Sequence, residues 1–316
     1  MLNKRTKKAQ FNFSVLFAII IGAGILFLAI YGATKTGETQ QFQSDTEIAK
    51  RLETLTDPLQ AGFASGKVGK IEFREETKIS NECYTADEVG DFGENRISIK
   101  TDSSVGEEGG RGAEIKIKNK YIFSSDNSGE DFYVFSVPFE FPYKIADLTI
   151  LISERYCFVN PNEEFKEDLG LMNVPLFDIV DSATACEANS KLVCFGSSCR
   201  NSVGDIFVKE GYVEKSDEEG KSYFNGNLIY AAILSDKAIY ECNVKRLLER
   251  GSNLAGIYSG KIDLMELNTC SSRIEKQDLG LFGSLLTNDD LGELNGLADY
   301  AEDLEEKNDR SVCELW

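Results

Sequence analysis

Phe11 to Ala33 reads FNFSVLFAIIIGAGILFLAIYGA, without one charged side chain. No other stretch constrains the chain so strongly. As an α-helix this segment would be about 34 Å long at ~1.5 Å per residue, enough for a hydrocarbon core of about 30 Å. It is apolar on every side, unlike the single stripe of a helix packed on a soluble core. Lys4, Arg5, Lys7 and Lys8 stand just before it, and such residues stay on the cytoplasmic side. The expectation is a basic cytoplasmic segment over 1–10, a transmembrane helix over 11–33 in the lipid bilayer, and an extracytoplasmic remainder. A cleaved secretory signal is the alternative, but its apolar region runs about 7–15 residues to a small-x-small site.

Charge and composition exclude several functions. Lys and Arg number 34, Asp and Glu 53. Setting aside the four basic residues before Phe11 leaves 30 against 53, a net charge of −23. Such a surface repels phosphate backbones, so nucleic acid is not an expected partner. The chain has no histidine. The usual general base, imidazole metal ligand and pH switch are therefore missing, and a Ser–His–Asp or Cys–His hydrolase cannot be built from it. Carboxylate-pair chemistry, Ser–Lys pairs and calcium binding survive that exclusion.

Lys7-Lys8-Ala9-Gln10 ahead of a long apolar helix resembles the N-terminus of archaeal type IV pilin-like precursors. The resemblance implies cleavage by a prepilin peptidase between Ala9 and Gln10, with Lys8 on the cytoplasmic side of the cut and the helix kept. Phe11 is bulkier than the family's usual residue there, and Ser14 stands where many pilins have Glu. The chain as a whole resembles uncharacterised single-pass membrane proteins of archaeal genomes, a likeness that implies an address and no activity.

Beyond Ala33, Ile48, Leu52, Leu55, Leu59 and Phe63 recur at helical steps, which predicts a helical stalk over 34–66 broken near Pro58. From Val68 the period becomes two. Ile71 and Phe73, Ile97 and Ile99, Ala113 to Ile117, Phe139 to Tyr143 and Leu148 to Ile152 alternate with polar residues, as half-buried antiparallel strands do. Pro138 and Pro142 assign their strand to an edge or a bulge. Residues 160–220 read as loop with short strands near Leu192–Phe195 and Ile206–Val208. Helical spacing returns after Asn225-Gly226, on Tyr240, Val244, Leu247, Leu248, Leu254, Ala255 and Tyr258. A second stripe on Leu291, Leu294, Leu297, Ala298, Ala301 and Leu304 is read as opened by a capping box at Thr287 and Asp290. The fold class is thus α+β: an N-terminal transmembrane helix and stalk, an antiparallel β-rich domain over 67–220, and a helical subdomain over 221–316 packed on it.

All eight cysteines (Cys83, Cys157, Cys186, Cys194, Cys199, Cys242, Cys270 and Cys313) follow the apolar segment. An even set outside the cytoplasm reads as up to four disulfides. Cys194–Cys199 and Cys270–Cys313 are the expected pairs among 105 connectivities. A zinc site needs two closely spaced pairs, and only Cys194/Cys199 approaches that spacing.

Other motifs have bland readings. Gly106, Gly109, Gly110 and Gly112 lack the preceding strand and following helix of a phosphate cradle. The carboxylates at Asp87, Glu88, Asp91 and Glu94, at Asp126, Glu130 and Asp131, and at Asp217, Glu218 and Glu219 do not follow a calcium-loop pattern. The aromatic run Phe132–Tyr143 reads as sheet core. No catalytic, metal or cofactor residue is assigned. The expected function is an anchored pilin-like or envelope structural component acting through protein partners or self-association. The alternatives are an anchored receptor with an apolar pocket between sheet and helices, and a carboxylate-pair hydrolase. N-terminal sequencing of the native protein is expected to begin at Gln10; an intact Met1 removes the pilin comparison.

Overall fold

The computed structural model describes residues 21–31, 68–101, 114–196, 199, 204–288 and 290–316. Two six-stranded sheets share one core with a set of helices. The first sheet contains β1 (Gly69–Tyr84), β2 (Glu94–Thr101), β3 (Ile115–Lys118), β4 (Tyr121–Phe123), β5 (Asn127–Glu140) and β6 (Lys144–Ile152). Their spatial order is β3-β2-β1-β5-β6-β4. All neighbours are antiparallel except β4, which runs parallel to β6 at the edge.

The second sheet contains β7 (Tyr156–Val159), β8 (Phe177–Val180), β9 (Lys191–Phe195), β10 (Ile206–Lys209), β11 (Tyr212–Lys215) and β12 (Ser222–Tyr223), in the order β12-β11-β10-β9-β7-β8. Four of these strands, β8, β7, β9 and β10, are parallel. The helices are α1 (21–31), α2 (Ala86–Val89), α3 (Glu163–Met172), α4 (Leu228–Leu234), α5 (Lys237–Leu267), α6 (Lys276–Leu286) and α7 (Leu294–Asp309). The parallel connection β7–α3–β8 begins where the Asn162 side chain accepts the Phe165 N–H at 2.9 Å. Asn173 closes α3 in the left-handed conformation, and Phe165, Leu169 and Met172 bury one face of it.

Three expectations are corrected. The first is the transmembrane helix. Among the described residues no helix is long and apolar enough to cross a membrane; of the segment 11–33, residues 21–31 are described, as helix α1. The stalk over 34–66, the junction Lys8-Ala9-Gln10 and the glycines at 106–112 lie outside the described residues.

The second correction concerns strand direction. The β-rich part is two mixed sheets, not one antiparallel region; residues 160–220 supply three of the four parallel strands, with β9 and β10 where short strands were expected and β8 in a stretch read as loop. β5 and β6 are also buried on both faces. Phe135, Val137, Ile150 and Ile152 enter the large core, while Phe132, Val134 and Leu151 enter a second core with Ile79, Ile97, Ile99 and Ile117. Pro138 pairs with Asp147 of β6, beyond the start of β1, and the register shifts between Phe139 and Glu140. Thr287 is the third correction: it closes α6, and α7 begins instead behind a 3-10 turn capped by Asp290.

All eight cysteines are paired: Cys83–Cys242, Cys157–Cys186, Cys194–Cys199 and Cys270–Cys313, with Cα separations of 5.7–6.0 Å. Cys83–Cys242 joins β1 to α5 across 159 positions of sequence. Closing so long a loop removes unfolded-state entropy equivalent to about 5 kcal/mol in the chain-entropy picture.

One turn beyond Cys242, the Arg246 side chain is fully buried. Its Nε donates to the Phe92 carbonyl at 2.9 Å, Nη1 to Asn95 Oδ1 at 2.6 Å and Asn243 Oδ1 at 2.7 Å, and Nη2 to the Gly93 and Lys120 carbonyls at 3.2 Å. The guanidinium carbon lies 4.9 Å from the centre of the Tyr121 ring. Burial pushes the Arg246 pKa down to about 10. Gly93 has φ +69°, and a Cβ there would come within 2.8 Å of Arg246 Nε. Asn95 Nδ2 in turn donates to Asn81 Oδ1 at 3.1 Å, and Asn81 and Asn243 both donate to the Ile122 carbonyl. Arg246→Leu removes five buried hydrogen bonds at once, and a stability loss of about 3–5 kcal/mol is expected in urea unfolding at 25 °C.

Candidate functional site

The parallel strands β7, β9 and β10 open at their N-terminal ends onto a cleft of about 280 Å³. Tyr156, Lys191 and Ile206, the first residues of these strands, line it, with Lys215 closing β11 and Asp217 and Glu218 in the turn beyond. Ile233, Leu234 and Asp236, where α4 passes to α5, complete the wall.

Charges of both signs meet there. The Lys215 side chain is 8% exposed; its Nζ donates to the Ser235 carbonyl and lies 3.7 Å from Glu218 Oε2. Burial lowers the Lys215 pKa, partly opposed by Glu218 and Asp236. Glu218 Oε1 also accepts the Lys237 backbone N–H at 2.9 Å, which fixes the turn against α5. Asp236 accepts the Asp126 N–H at 2.9 Å, tying α5 to the segment after β4, and burial raises its pKa. Burial moves the Tyr156 phenol up to about 12. Lys191 lies 2.6 Å from Glu154; burial opposes its charge, but Tyr156 and Glu154 prevail and its pKa is raised. The arrangement suits a small polar ligand with donors and acceptors of its own. Lys215, Lys191, Tyr156 and Asp236 are dispersed in sequence, and no local pattern announces them.

A second cleft of about 260 Å³ lies beside Arg246, lined by Thr85, Asp87, Lys245, Glu249, Thr287 and Asn288 among others. Burial, and then Asp87, raise the Glu249 carboxyl there.

The first two carboxylate clusters singled out in the sequence are dispersed into separate local roles, whereas Asp217 and Glu218 of the third both line the cleft. Glu88 accepts the Thr85 N–H at 2.7 Å, Asp91 pairs with Lys118 at 3.0 Å, and the buried Glu94 pairs with Arg96 at 2.8 Å. Asp126 pairs with Lys78 and Asp131 with Lys70. Among the described residues no group of three or more metal-ligating side chains converges. The aromatic run is core: Phe132, Phe135, Phe139, Phe141 and Tyr143 are buried.

The sheet–helix interface, where a receptor would need its pocket, is filled with rings. Tyr143 lies 4.8 Å from Tyr258 and 5.2 Å from Trp316, and Phe282 lies 5.8 Å from Phe141 and 5.9 Å from Tyr300.

Outside this packed interior, large apolar side chains are exposed on α1, as they are at Leu171, Ile257, Leu264, Leu267, Leu281 and Val312. Ile21, Ile25, Leu26, Phe27, Leu28, Ile30 and Tyr31 are all 47–69% exposed. Comparison with known protein families, curated proteins and solved structures gives no match.

The Lys215 shift has a measurable consequence. With its folded pKa below 10.5, the native state binds fewer protons than the unfolded chain just under that pH. Its contribution therefore makes the protein more stable as pH rises towards 10.5. Lys215→Met is expected to flatten that rise in urea unfolding between pH 8 and 10.5; an unchanged slope contradicts it.

Proposed function

We propose that this chain is an extracytoplasmic structural or assembly component that works by binding further copies of itself, with α1 as the contact. The observation that carries the reading is the exposed apolar surface of α1. Seven large apolar side chains within 21–31 are exposed. Burying such side chains is worth about 1.5–3 kcal/mol each, so a protein partner that covers them gains substantial binding energy. The disulfides support the address. All eight cysteines are paired, and bonds of this kind persist where the surroundings are oxidising.

The acidic surface is compatible with that role, because net charge keeps the separated heads apart and confines attraction to the uncharged helix. Amine-directed cross-linking of intact producing cells is expected to yield a ladder at multiples of 35.1 kDa. Replacing Ile25 and Leu28 together by Glu is expected to reduce it to the monomer. A single band at 35.1 kDa from the unaltered chain overturns the proposal.

A further inference from the structure

We infer that the cleft at the starts of β7, β9 and β10 binds a small zwitterion of the amino-acid class, its carboxylate held by Lys215 and Lys191 and its ammonium by Asp217, Glu218 and Asp236. This goes beyond the assembly reading and stands apart from it, since the cleft lining includes no residue of α1.

Lys215 carries the argument. Its side chain is 8% exposed, lines the cleft and ends in three N–H donors. Among the described residues the Ser235 carbonyl accepts from this ammonium, while Glu218 Oε2, at 3.7 Å, is beyond hydrogen-bond reach. Leaving donors of a buried charge unmet is costly, so an acceptor brought into the cleft gains more here than it would on an open surface. Ser190 is a second case in the same wall: its Oγ is buried and has no hydrogen-bond partner among the described residues. A ligand with acceptor oxygens answers both.

The charges decide what else that ligand carries, because each sign in the cleft is crowded by its own kind. Burial foremost lowers the Lys215 pKa, and Lys191 adds to the effect. Burial foremost raises the Asp236 pKa, and Glu218 and Asp126 add to it. A simple anion would relieve the lysines and aggravate the carboxylates; a simple cation would do the reverse. A molecule with one charge of each sign relieves both sets at once. Size limits it further. At about 280 Å³ the cleft falls short of the ~300–1,000 Å³ that drug-sized ligands occupy, which suits a single amino acid. Ile206, Ile233 and Leu234 add an apolar stretch of wall for its side chain.

The test is saturation-transfer NMR on the full chain near neutral pH. Each of the common amino acids is added in turn, followed by two analogues of the strongest binder, one without the amine and one without the carboxylate. Expected is a saturable signal from at least one amino acid below about 10 mM, with both analogues at least tenfold weaker. Lys215→Met is expected to weaken binding at least tenfold. Asp217 is exposed, so Asp217→Asn leaves the fold intact and is expected to weaken binding at least threefold; it decides alone if Lys215→Met does not fold. No saturable signal from any amino acid, an analogue that binds as tightly as its parent, or undiminished affinity in either folded variant overturns the site. The cross-linking ladder of the unaltered chain reads the assembly proposal separately, so failure of one leaves the other standing.

Discussion

A buried guanidinium with no carboxylate in its hydrogen-bond shell is tolerable only if every N–H finds an acceptor, and Arg246 meets that condition with atoms from three separate stretches of chain. Three of the acceptors are backbone carbonyls whose orientation depends on the turn before β2 and on the approach to β4. Two are asparagine amides, which pass the network on to Asn81 and the Ile122 carbonyl. Tyr121 covers one face of the ion. The position of α5 on the first sheet is thus defined by directional bonds as well as by apolar contact, and Cys83–Cys242 closes the same junction covalently. Because α5 also carries Tyr240, Leu247 and Ala255 into the large core, an error at Arg246 spreads to both sheets and to the C-terminal helices.

The second sheet solves a different problem. Parallel strands are ordinarily covered by helices on both faces. Here α3 and α4 cover one face, where Phe165 stacks on Tyr230 and Phe158 lies against Phe165. On the other face Val159, Cys194 and Cys199 form a small cluster with Val180, Ala183, Cys186, Leu192 and Phe207. Connecting segments take the place of the missing helices. Cys157–Cys186 and Cys194–Cys199 fasten them to β7 and β9, the inner pair of the four parallel strands. Loss of conformational freedom in covalently held loops substitutes for the packing a helix would have supplied.

Much of the first sheet was legible because its outer strands obey a period of two. Ile71 and Phe73, Ile97 and Ile99, and Ile115 and Ile117 all lie in strands. β5 and β6 mislead because both faces are buried, so alternation there marks two cores rather than core and solvent. The parallel strands were illegible as such: each has four or five residues, too few for a period, and direction leaves no trace in a single strand. α3 was hidden by acidic residues around its three buried side chains. Cys194–Cys199 follows from a tight loop and Cys270–Cys313 from a C-terminus tied to the helices, whereas Cys83–Cys242 depends on the tertiary position of α5. The cleft around Lys215 was illegible for the same reason, since its groups are gathered by strand starts rather than by a motif. The apolar stretch beginning at Phe11 was expected to span a membrane, and among the described residues no helix is long and apolar enough to do so.

Synthesis order gives the Arg246 junction a temporal meaning. The acceptors at Phe92, Gly93 and Lys120 leave the ribosome long before their donor, which trails them by 126–154 positions. Until then β1 and β2 present a half-built sheet, with the Cys83 thiol open to a wrong partner among the cysteines that emerge at 157, 186, 194 and 199. Contacts so distant along the chain close slowly. A thiol-exchange catalyst, or a chaperone that shields the first sheet, would shorten that exposed interval.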